Sequence, residues 1–361
     1  MQTSAGAWPT KQPPSALHRQ WLSLSTSAAR ISNDDLLAEF FPVPGFANPW
    51  TNVWLQPLIG HEELDKRSRF VIQLMQERYQ ELPPRLFDKP TPYCVYNIFQ
   101  RLLKDKLKGQ LETSQGRAHR ADCVLQCCEL FYNQHHDKDL PHPTANNYRA
   151  VLSLYAKETN TTRAIPLRCL EILSRMQQRY NEFSEEAMRP TAQLYVNVFV
   201  CWAKCQDENN WMEAAQLLQA LQPQGLINVH SYEQVLLACA TSKEGSSSMA
   251  RVIWTDLNQN HAITSKAYAA YMACLRQCEN GEELLLQTFG RCCTSGHIDR
   301  LVLEEMHQTS PTLWNKVVQR VTGGKWTGDL PQALPHVVIT KVPEIWKRNT
   351  KTSGIAEGTP L

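Results

Sequence analysis

No run of about 18 apolar residues occurs in the 361-residue chain, which removes a membrane-spanning helix. An excess of charge of one sign is missing as well: 37 Lys and Arg face 35 Asp and Glu, a formal +2, so the total charge points neither to nor away from nucleic acid. Catalytic signatures are also absent. There is no G-x-x-x-x-G-K-[ST] phosphate loop, no G-x-G-x-x-G, no G-x-S-x-G nucleophile elbow and no H-E-x-x-H. Twelve cysteines are present, yet none forms the C-x-x-C knuckle of structural zinc. The chain opens on no basic segment followed by an apolar one, so secretion is not expected and the thiols should be reduced. The Asn160-Thr161-Thr162 sequon carries little meaning without a secretory route. The expectation is a chain that is not an enzyme, with no cofactor, no metal site, no membrane span and no small-molecule substrate.

What is present begins with aromatic content. Ten Trp, eleven Tyr and ten Phe supply enough burial to offset chain entropy in a folded body. Residues 1–33 hold Lys11, Arg19 and Arg30, no acid, and nine Ser or Thr. That composition suits an organellar transit segment, with the mitochondrion expected ahead of plastid or cytoplasm, although Pro9, Pro13 and Pro14 suit a disordered polar leader equally. Residues 34–63 read as an irregular N-terminal cap, and 323–361, rich in Gly, Pro, Thr and Lys, as a tail that packs back through Trp326 and Trp346 and then frays. By segment, 1–33 carries +3 and 321–361 carries +2, leaving −3 for the region between.

Residues 64–322 repeat. Starting points Pro90, Pro143, Pro190, Ile227 and Ile263 are spaced 53, 47, 37 and 36 residues apart, and each is followed by an apolar stripe at helical spacing. The stripes are Val95/Ile98/Phe99/Leu102, Tyr148/Val151/Leu152/Tyr155, Tyr195/Val198/Phe199/Trp202, Tyr232/Val235/Leu236/Cys239 and Tyr268/Tyr271/Met272/Leu275. A second helix follows each: Val124/Cys127/Cys128/Phe131, Cys169/Ile172/Leu173/Met176, Ala214/Leu217/Leu218/Leu221, Ala250/Ile253/Trp254/Leu257, and a weaker Leu285/Leu286/Phe289. A half unit around Val71/Ile72/Met75 opens the array, and a degenerate pair near 298–308 and 311–322 closes it. The excess spacing falls in polar segments, 105–120 and 133–142, and loop growth costs only about 0.6 kcal/mol per doubling. The predicted fold is all-α: an α-solenoid of about five to six helical hairpins.

These units resemble the pentatricopeptide repeat family, most clearly in Pro143–Met176 and Pro190–Leu221, with the aromatic anchor after Pro-Thr and the Ala-Lys that closes the first helix. The resemblance implies a right-handed superhelix whose first helices line a concave face and bind single-stranded RNA, one base per repeat. In that family the residue after the anchor and the residue ending the repeat choose the base. Those pairs are here Tyr96 with Thr144, Arg149 with Thr191, Val196 with Asn228 and Glu233 with Thr264, while Ala269 opens a fifth. The family favours Asn, Thr or Ser with Asp, Asn or Ser. Val196 and Ala269 cannot hydrogen-bond to a base, and Glu233 repels phosphate. The base-sandwiching positions hold Tyr93, Asn146, Gln193, His230 and Lys266 in place of small branched apolar residues. The weakened code predicts binding with little sequence preference.

A second feature of the resemblance is the Lys closing the first helix, at Lys104, Lys157 and Lys204, where the family approaches phosphate. A line of three suits sequence-independent binding, and the helix dipole alone also favours Lys at a helix end. Cys201 and Cys274 share one repeat position and Cys205 and Cys278 another, which marks them as small packing residues. His135-His136-Asp137 reads as a solvated loop. After residue 322 only Asp329 precedes the final Glu-containing tail, which leaves no cluster of Asp for a metallonuclease. Two functions follow as expectations: single-stranded RNA binding in organellar RNA processing, stability or translation, or a scaffold whose concave face holds a protein partner.

Overall fold

The computed structural model describes Phe99 and residues 114–135, 142–159, 161–242, 246–278, 280–321 and 335–350. Tyr93, Tyr96, Lys104, the leader, the opening half unit and Trp326 lie outside the described residues. The described residues are helical and contain no β-strand, only an isolated bridge between Thr161 and Cys205. None of their helices is long and apolar enough to cross a membrane. The chain divides into two compact units, Met1–Pro143 and Thr144–Leu361.

In the first unit, α1 spans Ser114–His135. It begins inside the segment read from sequence as a polar loop. Ala118, Ala121, Leu125 and Cys128 are all buried, and their spacing extends the Val124/Cys127/Cys128 stripe by two turns toward the N-terminus. Two small alanines among charged neighbours gave too weak an apolar signal to separate from a loop. At the other end the helix runs on to His135, so the first residue of the His-His-Asp cluster is helical.

The second unit contains α2 (Ala145–Lys157), α3 (Ala164–Phe183), α4 (Ala192–Lys204), α5 (Asn210–Leu221), α6 (Val229–Thr241), α7 (Ser246–Asn260), α8 (Ser265–Cys274), α9 (Gly281–Ser295), α10 (Arg300–Thr309), α11 (Pro311–Val321) and the single turn α12 (Pro335–Val338). The first helices of the hairpins pack in sequence: α2 on α4, α4 on α6, α6 on α8 and α8 on α10. Each also packs on the second helix of its own hairpin and, for α4, α6 and α8, on that of the hairpin before. The anchors Tyr148, Tyr195, Tyr232 and Tyr268 are all buried at these junctions, each worth on the order of 2 kcal/mol of apolar burial. Every stripe residue of α2, α4 and α6 is buried. Among the described stripe residues of the second helices, Leu217 is half-buried and Leu286 is exposed on α9, where the packed residues are Leu285, Thr288, Phe289 and Cys292.

Local chemistry sets the helix ends. Thr144 and Asn228 form capping boxes with Asn147 and Ser231, Thr264 accepts from the Ala267 amide at 3.1 Å, and Asp299 from the Val302 amide at 3.0 Å. Asn210, buried at the start of α5, donates to the carbonyls of Trp202 and Cys205 at 3.1 and 2.8 Å and so closes the α4–α5 turn. Consecutive hairpins are tied by their loops: the Thr161 hydroxyl donates to Cys201 O at 2.9 Å, Ser242 to Glu208 O at 3.2 Å and Ser265 to His297 O at 2.8 Å. Residues 344–350 lie across the α9–α10 turn, with the Ile298 amide on Trp346 O at 2.8 Å and the Asn349 amide on Gly296 O at 2.9 Å. Among the described residues of the tail, the backbone of Trp346 is thus a contact of this turn.

Candidate ligand-binding face

The side of each first helix opposite its buried stripe is set by the 3.6-residue period. On α2 it carries Asn146, Arg149, Ser153 and Lys157, on α4 Gln193, Asn197, Val200 and Lys204, on α6 His230, Gln234, Leu237 and Thr241, and on α8 Lys266 and Ala269. Asn146, Arg149, Lys157, Gln193, Leu237, Thr241 and Lys266 are exposed and the others half-buried. Because α2, α4, α6 and α8 pack in order, these residues share one side of the row. The helices α2, α4 and α8 contain no Asp or Glu at all, and the single acid of α6, Glu233, is 2% exposed. The row thus presents amides, hydroxyls and bases. Acid returns at α10, where Glu305 pairs with Arg276 and Glu304 with Arg300 at 2.6 Å.

The four repeat-ending residues named from sequence, Thr144, Thr191, Asn228 and Thr264, are all N-caps. Thr144, Asn228 and Thr264 turn a side-chain oxygen to a backbone N–H of the helix they open, which is the ordinary use of Thr and Asn at that position. Thr191 is exposed and makes no such bond.

The residues after the anchors divide. Arg149 is exposed, its guanidinium donating to Asn146 Oδ1 at 3.3 Å. Ala269 is half-buried and Val196 buried. Glu233 accepts from the Thr264 hydroxyl and stands 2.8 Å from His230 Nδ1. The structure therefore joins the predicted pair Glu233 and Thr264 to each other, because the residue after the α6 anchor borders the start of α8. Val196 faces the packed side for the same reason, α4 being flanked by α2 and α6. Arg149 is exposed although α4 packs on α2.

The lysines divide too. Lys157 is exposed at the end of α2. Lys204 is half-buried, and its ammonium donates to the Ala156 carbonyl at 2.5 Å, one of the carbonyls that the end of α2 leaves without an intrahelical donor. Lys266 lies close enough to Asp299 to favour its ionised form, against the larger effect of burial, which pushes that carboxyl up.

Asn197 and Gln234 were not singled out by sequence reasoning. Their signal was their placement opposite the stripe, two residues past the anchor, which amphipathic periodicity alone would have shown.

The cysteines behave as packing residues. Cys169, Cys201, Cys205, Cys239, Cys274, Cys292 and Cys293 are buried and Cys278 is half-buried; burial raises the thiol of Cys205, takes those of Cys239 and Cys293 up to about 12 and pushes those of Cys274 and Cys292 well above the ordinary value. Thiols raised in this way are poor nucleophiles and poor metal ligands. Among the described residues no group of three His, Cys, Asp or Glu is placed to hold a metal ion. Comparison with known proteins finds no matching family model, no matching curated protein and no matching solved structure.

Proposed function

We propose that this is a non-catalytic α-solenoid of pentatricopeptide type whose first-helix face binds single-stranded RNA through its backbone, with little base preference, in organellar RNA processing, stability or translation. The observation that carries the reading is the absence of an exposed carboxylate from α2, α4, α6 and α8, on faces that carry Arg149, Lys157, Lys204 and Lys266. A polyanion needs local positive charge and hydrogen-bond donors rather than a high total charge, and the amides of Asn146, Gln193, Asn197 and Gln234 add neutral donors between the bases. The burial of Val196 and the engagement of Glu233 with Thr264 remove two base-reading pairs, which supports backbone over base recognition. The acid-free segment 1–33 supports delivery to the mitochondrion.

Fluorescence anisotropy of the full chain with labelled mixed-sequence RNA, followed from about 50 mM to 200 mM salt, tests this reading. Affinity should fall as salt rises, and Arg149→Ala with Lys157→Ala should flatten the logarithmic slope by about 1.4, or 0.7 per lost phosphate contact. Absence of binding at low salt would remove RNA and leave the protein-scaffold reading, which the exposed Leu237 and half-buried Val200 in the middle of the face favour.

A further inference from the structure

Cys169 on α3 and Cys201 on α4 place their sulfurs 3.8 Å apart. Both side chains are 0% exposed, and the helices that carry them belong to consecutive hairpins. The sulfurs need approach by less than about 2 Å to reach bonding distance. Thiol pairs within one α-helix are poorly placed. Cys123 and Cys127 stand one turn apart on α1, where Cβ atoms are separated by about 5–6 Å against the 3.5–4.5 Å a disulfide spans. Cys127 with Cys128, and Cys292 with Cys293, are adjacent on a helix, and their side chains diverge by about 100°.

We propose that Cys169 and Cys201 are an oxidative modification site: in the presence of hydrogen peroxide they form a disulfide that staples the α2–α3 hairpin to α4. One thiol, as thiolate, attacks a peroxide oxygen and becomes a sulfenic acid as the O–O bond breaks and water leaves. The second sulfur then attacks the sulfenic sulfur, the S–O bond breaks, and a second water departs. Two thiols and one peroxide give one disulfide and two waters, so the step balances with peroxide as the sole oxidant. Peroxide is little larger than water and can reach the pair through local opening between the hairpins. The bond would link residues 32 positions apart, constraining the unfolded chain.

The experiment uses the purified full chain, reduced, freed of reductant, exposed to peroxide under native conditions and then alkylated. Peptide mapping without reductant should show one dominant crosslinked species joining the Cys169 and Cys201 peptides, released by a dithiol. The oxidised protein should unfold at a temperature higher by about 5 °C. Cys201→Ala should leave Cys169 without a crosslink. The map of the unmodified chain needs no variant to fold, so it decides alone. Crosslinks dominated by any other pair, peroxide adducts on Cys169 and Cys201 without a bond between them, or a Cys169–Cys201 bond that forms only in denaturant would each overturn the assignment. None of these outcomes touches the RNA-binding reading, which is scored separately by anisotropy.

Discussion

The Thr264 hydroxyl donates to the carboxylate of Glu233, a side chain buried to 2% exposure, and the same hydroxyl oxygen accepts from the Ala267 amide at 3.1 Å. A residue that opens α8 is thereby locked to α6. His230 lies on the other carboxylate oxygen at 2.8 Å, so the acid is engaged on both sides. What repeat periodicity marks as a pair for reading a base serves instead to join two hairpins. It also withdraws from the face the one negative charge that α6 carries.

Glu233→Ala should lower unfolding free energy by about 2 kcal/mol, because the half-buried Thr264 hydroxyl loses a charged acceptor. Glu233→Gln keeps an acceptor for Thr264 and should cost less. In a double-mutant cycle with Thr264→Ala, the two losses should fall short of additivity by about 1 kcal/mol, the signature of direct coupling. Urea denaturation measures all of these, and full additivity would show that the bond contributes nothing.

Lys157 and Lys204 occupy the same repeat position and should behave oppositely. Lys204→Met removes the ammonium from Ala156 O and should destabilise the fold by about 1 kcal/mol, since a cation near a helix C-terminus satisfies its carbonyls and dipole. Lys157→Met, at an exposed site, should change stability by less than about 0.5 kcal/mol and weaken RNA binding more than the Lys204 variant does. Thermal unfolding and anisotropy on the two variants separate a structural lysine from a ligand-facing one. Equal effects on both readouts would erase the distinction.

The hairpin helices were legible because their stripes combine large aromatic anchors with a strict period. Tyr148, Tyr195, Tyr232 and Tyr268 are buried where that period places them, and the weak closing pair emerges as α10 and α11. The N-terminal half of α1 was not legible, since Ala118 and Ala121 bury through small side chains that carry little hydrophobic signal. The candidate face was legible in outline and not in detail. Periodicity around one helix separates buried from outward positions, but the fate of the residue after the anchor depends on the neighbouring helix. Val196 and Glu233 meet one, whereas Arg149 is exposed. Likewise the contact of Lys204 with the previous hairpin joins residues 48 positions apart, beyond any local pattern.

Gly296 closes α9 with φ of +77°, a left-handed conformation that side chains disfavour. A Cβ there would lie 2.5 Å from Arg348 Cγ and 3.1 Å from Ile345 O, so strain and collision coincide. Gly296→Ala should cost about 2 kcal/mol and push residues 344–350 off the α9–α10 turn. Limited proteolysis should then cleave this segment sooner than in the unmodified chain, while α2–α7 stays protected. Unchanged cleavage would mean that the segment is held by contacts other than those at Gly296, Ser295 and Ile298.

Alkaline pH should unfold the protein through its thiols. Burial pushes Cys128, Cys239 and Cys293 from an ordinary value of 9.0 up to about 12. Below about pH 9 these groups are protonated in both states and stability is flat. Above that value the unfolded chain releases their protons while the folded chain retains them, so stability falls with rising pH until the folded thiols titrate near about 12. The loss per thiol approaches about 1.4 kcal/mol for each pH unit in that window. Tyr195, Tyr232, Tyr268 and Tyr271 are raised by burial as well, and Tyr232 also donates to Asp256 at 2.6 Å, so the tyrosines steepen the decline above pH 10. Urea midpoints measured with a phosphine reductant between about pH 7.5 and pH 10.5 should be level first and then drop. Cys239→Ala should make the drop shallower by about one thiol's share, while the packing lost with the sulfur lowers the whole curve evenly. A level profile through the upper end of that range would show that the thiols titrate alike in both states and are not buried as described.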